Sequence, residues 1–256
     1  MNLETINRLN AINRAFYTTV ADDFDQTRGA AWPGWQRLLP YLSTPLSVLD
    51  VGCGNARFAL FLHDNLIPPD SPVPLFSDSA LSTQHSALIS YHGLDSNPAL
   101  LAHAHNALAG KAGLSATFEE RDMVENPPNS GEYDLVVLLG VLHHIPGFAR
   151  RQALMRQLAA CLKPGGILMF TAWRFYEYER FRERITAWPN DLAIETNDYL
   201  LDWRRGAFSL RYCHYTDDAE HEALVAATGL TEIETFRADG QGGTANRYSF
   251  LQSSRS

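Results

Sequence analysis

The sequence predicts an α/β fold built on a parallel β-sheet, and two observations support this prediction. Apolar strand patterns alternate with amphipathic helix patterns along most of the chain, as they do in strand–helix–strand crossovers of a parallel sheet. The segment "YDLVVLLG" is continuously apolar, as a strand buried on both faces should be. With 256 residues, of which 45% are hydrophobic, the chain is long enough for one large α/β domain.

The first half of the chain gives three strands and three helices. Residues 2–20 are predicted to form an amphipathic helix, because apolar residues recur every three or four positions. The first strand, Leu46–Val51, precedes a helix at about residues 56–64. Residues 65–88 hold four prolines and many serines without periodicity, and we interpret them as a surface insertion. A second strand ends at Asp95, Ser96 is the expected N-cap of the next helix, and "SATFEERD" is the third strand.

The second half continues the alternation, with one interruption. "YDLVVLLG" is the fourth strand, "GFARRQALMRQLAACL" is predicted to be helical, "KPGG" is a turn, and "ILMFTAW" is the fifth strand. Residues 173–215, which we call the lid segment, break the alternation. A helix at 217–228 and two late strands, "LTEIETFR" and "ANRYSFLQ", then restore it.

The composition and net charge limit the functional classes to which this protein can belong. The net charge of −8 argues against a generic nucleic-acid binder, which usually has a basic surface, but leaves room for a local basic patch. Three distant cysteines, Cys53, Cys161 and Cys213, suit neither a disulfide framework nor a zinc site, so we expect no bound metal. Neither a signal peptide nor a membrane-spanning stretch of roughly 18 apolar residues is recognisable. We therefore expect a soluble, cytoplasmic protein.

The stretch "VLDVGCGNARFALFL" is predicted to be a strand, a glycine turn and a helix. A dinucleotide site requires a third glycine, but that position is Arg57, so the pattern does not match an NAD or FAD site. Gly52 and Gly54 still allow a ligand to approach the backbone closely. Asp95, at the end of the second strand, is placed to accept hydrogen bonds from ribose hydroxyls. A nucleoside without a pyrophosphate fits better, and S-adenosylmethionine (SAM) is the common one.

Five ordered motifs, "VLDVGCGN", "GLDSNP", "RDM", "YDLVVLLGVLHHI" and "LKPGGILMF", resemble those of the class I SAM-dependent methyltransferases. The resemblance implies a Rossmann-like fold: a seven-stranded, mostly parallel sheet with helices on both faces, an antiparallel last strand, an N-terminal helix and a lid inserted after the fifth strand. It also implies cofactor contacts, with Asp50, Gly52 and Gly54 around the methionine part, Asp95 on the ribose, Asp122 and Met123 around the adenine, and Leu139 and Gly140 beside them.

The N-terminal cover, residues 1–44, offers further cofactor contacts. Tyr17 and Phe24 are candidates to close over SAM, and Arg28 is a candidate for bidentate pairing with its methionine carboxylate. Each candidate also has a purely structural interpretation. The glycines can form a tight turn without a ligand, the acids can cap helices, Met123 can fill core space, and Arg28 can be a solvated surface charge.

Two further phrases resemble the eukaryotic tRNA wobble-uridine carboxymethyl methyltransferases. "F-x-x-T-R" before "W-P" occurs at residues 24–33, and "D-x-x-x-x-W" before "R-Y-x-H" occurs at 198–214. This resemblance implies a tRNA substrate whose carboxymethyl group is esterified, and a small activator protein as a possible partner. A carboxylate with a solution pKa of ~4 is already a nucleophile at neutral pH, so no general base is required. The best candidates to hold it are Arg211, Tyr212, His214 and His144.

The lid segment leaves the acceptor open. Residues 173–212 contain ten aromatic residues and seven arginines, a mixture that suits unstacked bases and phosphates, but seven acidic residues balance the arginines. The same aromatics can instead form a small core over an acceptor pocket. A tRNA carboxylate methyltransferase is therefore the first hypothesis. A methyltransferase for a small carboxylic, phenolic or quinone metabolite is the second, and a non-catalytic SAM-binding protein is the third.

We assign residues 45–172 to the SAM-binding core and residues 216–256 to the C-terminal helix and strands, all in a single domain.

Overall fold

A computed structural model describes residues 1–27, 29–68, 87–189, 192–204 and 207–254. This part of the chain forms a seven-stranded sheet, a three-stranded sheet and the helices around them.

The strands of the large sheet are β1 (Leu46–Val51), β2 (Ile89–Asp95), β3 (Leu114–Glu120), β4 (Tyr133–Leu138), β5 (Leu162–Trp173), β9 (Thr231–Ala238) and β10 (Asn246–Gln252). Those of the small sheet are β6 (Ile185–Thr186), β7 (Asp198–Trp203) and β8 (Ser209–His214). The α-helices are α1 (Leu3–Thr27), α2 (Arg57–Leu66), α3 (Pro98–Leu108), α4 (Phe148–Ala160), α5 (Glu179–Arg182) and α6 (Asp218–Thr228). Short 3-10 helices cover Pro33–Tyr41, Leu142–His144 and Phe175–Glu177.

The large sheet has the strand order β3-β2-β1-β4-β5-β10-β9. Strands β1 to β5 pair in parallel, and β10 runs antiparallel to both of its neighbours. The predicted α/β fold with an antiparallel last strand is thereby confirmed. The strand order reverses between β1 and β4, and ligands of open α/β sheets bind at the carboxyl ends of the strands at such a point.

Helices cover both faces of the large sheet, because alternate residues of a strand point to opposite sides. Val48 of β1 and Met169 of β5 pack in a core with α2 and α3. Leu49 of β1 and Phe170 of β5 pack in a second core with α4 and α6. The continuous apolar runs of β1, β4 and β5 are thus explained by burial on both faces.

The lid segment forms the small sheet, with the order β6-β7-β8 and antiparallel pairing. Phe175, Leu201, Cys213 and Tyr215 form a third, smaller core there, against which Trp173 and other aromatics pack. The lid segment thus has a small core of its own next to the large sheet.

Several predicted boundaries were wrong. Helix α1 continues to Thr27, well past residue 20. Asn97, not Ser96, caps α3, because its side-chain oxygen accepts hydrogen bonds from the backbone N–H groups of Ala99 and Leu100. The "KPGG" turn lies inside β5, where the pairing register with β4 shifts. In these cases local hydrogen bonding and strand pairing decided boundaries that residue patterns left open.

The predicted insertion at 65–88 falls mostly on residues 69–86, which lie outside the described residues; Leu66 still belongs to α2. Among the helices that the structure describes, none combines the length and the apolar character needed to cross a lipid bilayer.

Candidate functional site

The turn after β1 lies where the strand order reverses, and two glycines shape it. Gly52 has φ +79° and Gly54 has φ +55°, both in the left-handed region that favours glycine. A Cβ atom on Gly52 would lie 2.2 Å from Cγ2 of Val141, in the turn that follows β4. The two turns therefore approach each other closely only because position 52 has no side chain.

Asp95 fixes the glycine turn from the end of β2. Its Oδ2 accepts a hydrogen bond from the Gly54 N–H and its Oδ1 accepts one from the Asn97 N–H, both at 2.9 Å. Burial raises the pKa of Asp95, although these backbone donors counteract the rise. A carboxylate has about four acceptor positions, so the two oxygens retain capacity for hydroxyl donors of a ligand.

Asp50 is buried within β1, beside the glycine turn. The Tyr91 hydroxyl donates a hydrogen bond of 2.6 Å to its Oδ2. Burial raises the pKa of Asp50 to about 7, against the opposing effect of that hydrogen bond. A cationic ligand group beside Asp50 would favour the ionised form.

Asp122 follows β3 and connects the sheet to α1. Its Oδ1 accepts a hydrogen bond from the Val124 N–H, and its Oδ2 accepts one from Asn10 Nδ2, both at 2.8 Å. The adjacent Met123 is buried. Helix α1 thus lies directly against the turn after β3.

Two cavities open at this edge of the sheet. The larger has a volume of about 340 Å³ and the smaller about 120 Å³. Tyr17, Gly52, Gly54, Leu139 and Gly140 line both cavities, so the two adjoin at the glycine turn. Asp50 lines only the larger cavity; the residues that line only the smaller one include Asp95, Asp122, Met123 and Leu100.

The larger cavity is lined by many aromatic side chains and by a buried cation. Trp173, Phe181 and Trp203 of the lid segment line it together with Trp32 and Trp35. Arg211 of β8 also lines it, although only 9% of this residue is exposed. Its guanidinium carbon lies 4.8 Å from the ring centroid of Trp173, 5.4 Å from that of Phe16 and 5.9 Å from that of Trp203.

No described residue forms an ion pair with Arg211, and its buried Nε has no hydrogen-bond partner there. Aromatic faces stabilise a guanidinium through cation–π contacts, but they do not satisfy its N–H donors. A buried polar group without a partner is unfavourable, so this part of the cavity is complementary to an anion.

Residues 25–235 match the family model described as a methyltransferase domain. The chain belongs to this methyltransferase family. The predictions of the family, of the Rossmann-like fold, of an enzyme and of SAM as the methyl donor are thereby confirmed.

Similar proteins agree with this assignment. A protein of Encephalitozoon cuniculi named as a methyltransferase is 26% identical over 221 residues, covering 86% of this chain and 83% of that protein. The tRNA (carboxymethyluridine(34)-5-O)-methyltransferase ALKBH8 of Mus musculus is 24% identical over 157 residues, 61% of this chain but only 19% of the mouse protein. A SAM-dependent methyltransferase structure from Methanosarcina mazei has a TM-score of 0.62 at 18% identity, covering 88% of this chain and 99% of that one.

The methyltransferase brings most of its predicted cofactor residues together. All of them within the described residues line one or both cavities: Tyr17, Asp50, Gly52, Gly54, Asp95, Asp122, Met123, Leu139 and Gly140. Arg28 and the side chain of Phe24 lie outside what the structure describes, so their predicted contacts stay predictions.

His144 lies at the smaller cavity with both ring nitrogens engaged. Its Nδ1 lies 2.9 Å from the backbone oxygen of Tyr212, which only accepts, so Nδ1 carries the proton. The Tyr17 hydroxyl lies 2.9 Å from Nε2 and donates to it when the ring is neutral. His144 therefore connects α1 to β8 of the methyltransferase.

Tyr212 and His214 line neither cavity. The Tyr212 hydroxyl donates to Asp198 Oδ1 at 2.8 Å, and His214 lies between Asp198 at 2.7 Å and Glu220 at 2.8 Å. Burial by itself would lower the pKa of His214, but its hydrogen bonds to both carboxylates outweigh it and raise the pKa. Their polar groups thus face other protein groups rather than an acceptor.

Sequence patterns missed several residues of the site, among them Asn13 and Asp239. Asn13 of α1 lines the smaller cavity, and its side chain contacts the backbone of β8. Asp239 follows β9, lines the larger cavity and accepts hydrogen bonds from the Gly34 N–H, Asn246 and Tyr248. An isolated asparagine on a helix face and an acid before "GQGG" carry no distinctive signal.

Two groups of side chains are close enough to share a metal ion: His143, His144 and Cys213, and Glu195, Asp198 and His214. Both nitrogens of His144 and of His214 already have protein partners. Burial raises the pKa of the Cys213 thiol to about 11, which disfavours the thiolate that metals bind. The expectation of a metal-free site remains a prediction.

Proposed function

We propose that this methyltransferase transfers the methyl group of SAM to a carboxylate, and that this carboxylate is the carboxymethyl group of a tRNA wobble uridine. The observation that carries the proposal is the buried Arg211 guanidinium, which lines the larger cavity without an ion-pair partner among the described residues. The fold itself does not identify the acceptor, because one fold hosts many reactions.

The donor would lie across the junction of the two cavities. In this proposal Asp50, Gly52 and Gly54 hold the methionine part, and Asp95 accepts hydrogen bonds from the ribose hydroxyls. Asp122 and Met123 enclose the adenine, in the smaller cavity that they line. When bound, SAM supplies an electrophilic methyl group on a positively charged sulfur. The ionised form of Asp50 would favour this charge.

Arg211 would hold the acceptor carboxylate. A guanidinium offers donors in a planar fork that matches a carboxylate, and the hydrogen bonds are strong when both groups are charged. The rings of Trp173 and Trp203 keep the guanidinium in the cavity. One carboxylate oxygen would remain available for the reaction.

The reaction itself needs orientation rather than a base. A carboxylate oxygen forms a bond to the methyl carbon as the methyl–sulfur bond breaks, and the electron pair of that bond stays on sulfur. No proton is transferred, because a carboxylic acid with a pKa of ~4 is already ionised at neutral pH. The chain's contribution is to align the two reactants and exclude water between them.

Two features support a wobble uridine as the source of this carboxylate. The phrases "F-x-x-T-R…W-P" and "R-Y-x-H" resemble those of the tRNA enzymes, and a similar mouse protein is named for this reaction. The aromatic walls of the larger cavity would accept a flat, unstacked base, as in other sites that read single-stranded RNA. The need for an activator protein stays a prediction.

One observation favours a small carboxylic acid as the second candidate. Three arginines of the lid segment pair with acids: Arg174 with Glu177, and Arg184 and Arg204 with Asp202. These pairs neutralise much of the positive charge that would contact an RNA backbone. The lid segment would then serve as the wall of a metabolite pocket.

Methyl transfer from labelled SAM distinguishes the two sources. Total tRNA and a small-metabolite extract are offered separately, and the products are treated with mild alkali. Label in tRNA that alkali releases as methanol supports the proposed function. Release of methanol from the metabolite fraction alone would support the second candidate, and label that resists alkali would exclude a methyl ester in either fraction.

A further inference from the structure

Arg211 has a long side chain with little to fix its position. An arginine side chain loses much of its rotamer entropy when it is held in one place. Hydrogen bonds or an ion pair usually hold such a side chain in place. Among the described residues, the buried Nε of Arg211 has no hydrogen-bond partner and its guanidinium has no carboxylate partner. Its orientation must therefore depend on the aromatic rings around it and on the backbone of β8.

The backbone next to Arg211 is held by Asn13 of α1. Strand β8 is an edge strand of the small sheet, because β7 lies on only one side of it. At the open edge, the Tyr212 N–H donates a hydrogen bond of 2.9 Å to Asn13 Oδ1. That N–H belongs to the peptide group that joins Arg211 to Tyr212. Asn13 thus fixes the peptide plane from which the Arg211 side chain extends.

The same asparagine completes a closed set of hydrogen bonds. Asn13 Nδ2 donates to the backbone oxygen of His144 at 3.4 Å, and His144 Nδ1 donates to the backbone oxygen of Tyr212 at 2.9 Å. Asn13, His144 and Tyr212 are all buried. Three elements meet here: α1, the turn after β4 and β8. Phe16, one position before Tyr17 on α1, lies against the Arg211 guanidinium.

We propose that Asn13 is a positioning residue for the Arg211 guanidinium. The proposal rests on the proposed role of Arg211 as the acceptor ligand, but the placement of Arg211 can be measured without any acceptor. Asn13 acts through the peptide group and does not itself contact the acceptor, since it lines only the smaller cavity.

Asn10 provides a matched control on the same helix. It lies one turn before Asn13, is also buried and lines the same smaller cavity, but its side chain donates to Asp122 on the adenine side. Replacing Asn10 by alanine removes a buried amide of the same size from α1 without touching β8. Any difference between the two alanine variants therefore reports on their different partners.

The first measurement follows the Nε–H signal of Arg211 by nitrogen-15 NMR, assigned by its loss in Arg211→Lys. Ring currents of the surrounding aromatics should displace this signal from those of exposed arginines. We expect Asn13→Ala to shift or broaden it and Asn10→Ala to leave it in place. An unchanged signal in Asn13→Ala would overturn the proposal, whatever the acceptor is.

The second measurement uses tRNA that carries carboxymethyluridine at the wobble position. We expect Asn13→Ala to raise the acceptor KM or lower kcat by about tenfold, because small misplacements of a reacting group have large effects on rate. The Kd of Asn13→Ala for SAM should stay within about twofold of the wild-type value. Asn10→Ala should instead weaken the binding of SAM and leave the acceptor KM unchanged. Equal losses in both variants would contradict the proposal.

Asn13→Asp keeps the test informative if Asn13→Ala does not fold. Aspartate retains an oxygen that accepts from the Tyr212 N–H. At low pH the carboxyl group is protonated and can also donate to the His144 backbone oxygen, so the Arg211 signal, recorded there, should stay near its wild-type position at that pH. A displaced signal in this variant would count against the proposal. If wild-type protein leaves this tRNA unmethylated while the Arg211 signal behaves as expected, the tRNA source fails and the positioning role stands.

Discussion

The carboxyl-end edge of the large sheet, which we call the cofactor edge, and the part of the lid segment around Arg211 satisfy their polar groups in opposite ways. At the cofactor edge, Asp95 accepts from one backbone N–H of the glycine turn and from one in its own turn, and Asp122 accepts from a backbone N–H in its own turn and from Asn10 of α1. In the lid segment, Asp198 and Asp202 have partners among other side chains, whereas the contacts of the Arg211 guanidinium with described side chains are with aromatic faces. The acids of the cofactor edge are thus already held by protein donors, whereas the Arg211 guanidinium has no ion-pair partner among the described residues.

The largest expected effect concerns the proposed contact between Arg211 and the acceptor. Arg211→Ala should lower kcat/KM for the acceptor about 100-fold or more, since removing one partner of a buried charge pair costs about 2–5 kcal/mol. The Kd for SAM, measured by calorimetry, should change less than about twofold. Arg180→Ala is the matched control, because Arg180 lines the same cavity from an exposed position. A loss of SAM affinity in Arg211→Ala would instead place this guanidinium on the donor.

The second largest expected effect concerns SAM binding at the glycine turn of the cofactor edge. Gly52→Ala should weaken SAM about tenfold or more, because the left-handed backbone costs an alanine about 1–2 kcal/mol and the new Cβ collides with Val141. Gly110→Ala is the control that introduces backbone strain without a steric clash, since Gly110 has φ +73° but open space around its Cβ position. We expect Gly110→Ala to lower thermal stability and leave SAM affinity intact. Similar SAM affinities in the two variants would refute a role for the close approach at Gly52.

A pH effect sharpens the comparison at Asp50. Because burial raises the pKa of Asp50 to about 7, the free protein holds a proton there that a cationic donor would expel. SAM affinity should therefore rise between about pH 6 and pH 8, by up to about tenfold per unit below that pKa. Calorimetry in buffers of different ionisation enthalpy detects the released proton. Asp50→Asn should remove both the pH dependence and the proton release; a profile that persists would assign it to another group.

The raised pKa of Asp50 also makes the free energy of unfolding depend on pH. The folded chain binds more protons than the unfolded chain between the ordinary aspartate pKa of ~4 and about 7, so stability without SAM should fall as pH rises through this window. Asp50→Asn should flatten that fall. Denaturant titrations at several pH values measure it.

The smallest expected effect concerns the paired part of the lid segment. The pKa of His214 is raised, so its contribution to stability is fully present below its unfolded pKa of ~6.5 and is lost as pH rises through the folded value. Its neighbours are Asp198, Glu220 and, next to Glu220, Arg151. His214→Gln should therefore narrow the gap in melting temperature between pH 6 and pH 9 by a few degrees. An unaltered gap would show that His214 is not the group responsible.

Much of the cofactor edge was predictable because its residues act close to their own position in the chain. Gly52, Gly54 and Asp95 lie at strand ends, and parallel strands bring those ends to one edge of the sheet. The lid segment was less predictable. Arg211 was predicted together with Tyr212 and His214, yet the alternation of a strand sends neighbouring side chains to different surroundings, and only Arg211 lines a cavity.

The sequence by itself determined the α/β class and the glycine turn, because strand periodicity and backbone freedom at glycine are local properties. It indicated SAM as the donor through the resemblance of its five ordered motifs to those of the class I methyltransferases. Only the tertiary structure decided that Arg211 lacks an ion-pair partner among the described residues, that His144 connects α1 to β8, and that Asn13 holds the peptide next to Arg211. Asn13 and Tyr212 are 199 residues apart in the chain, and no local pattern records a hydrogen bond formed across that separation.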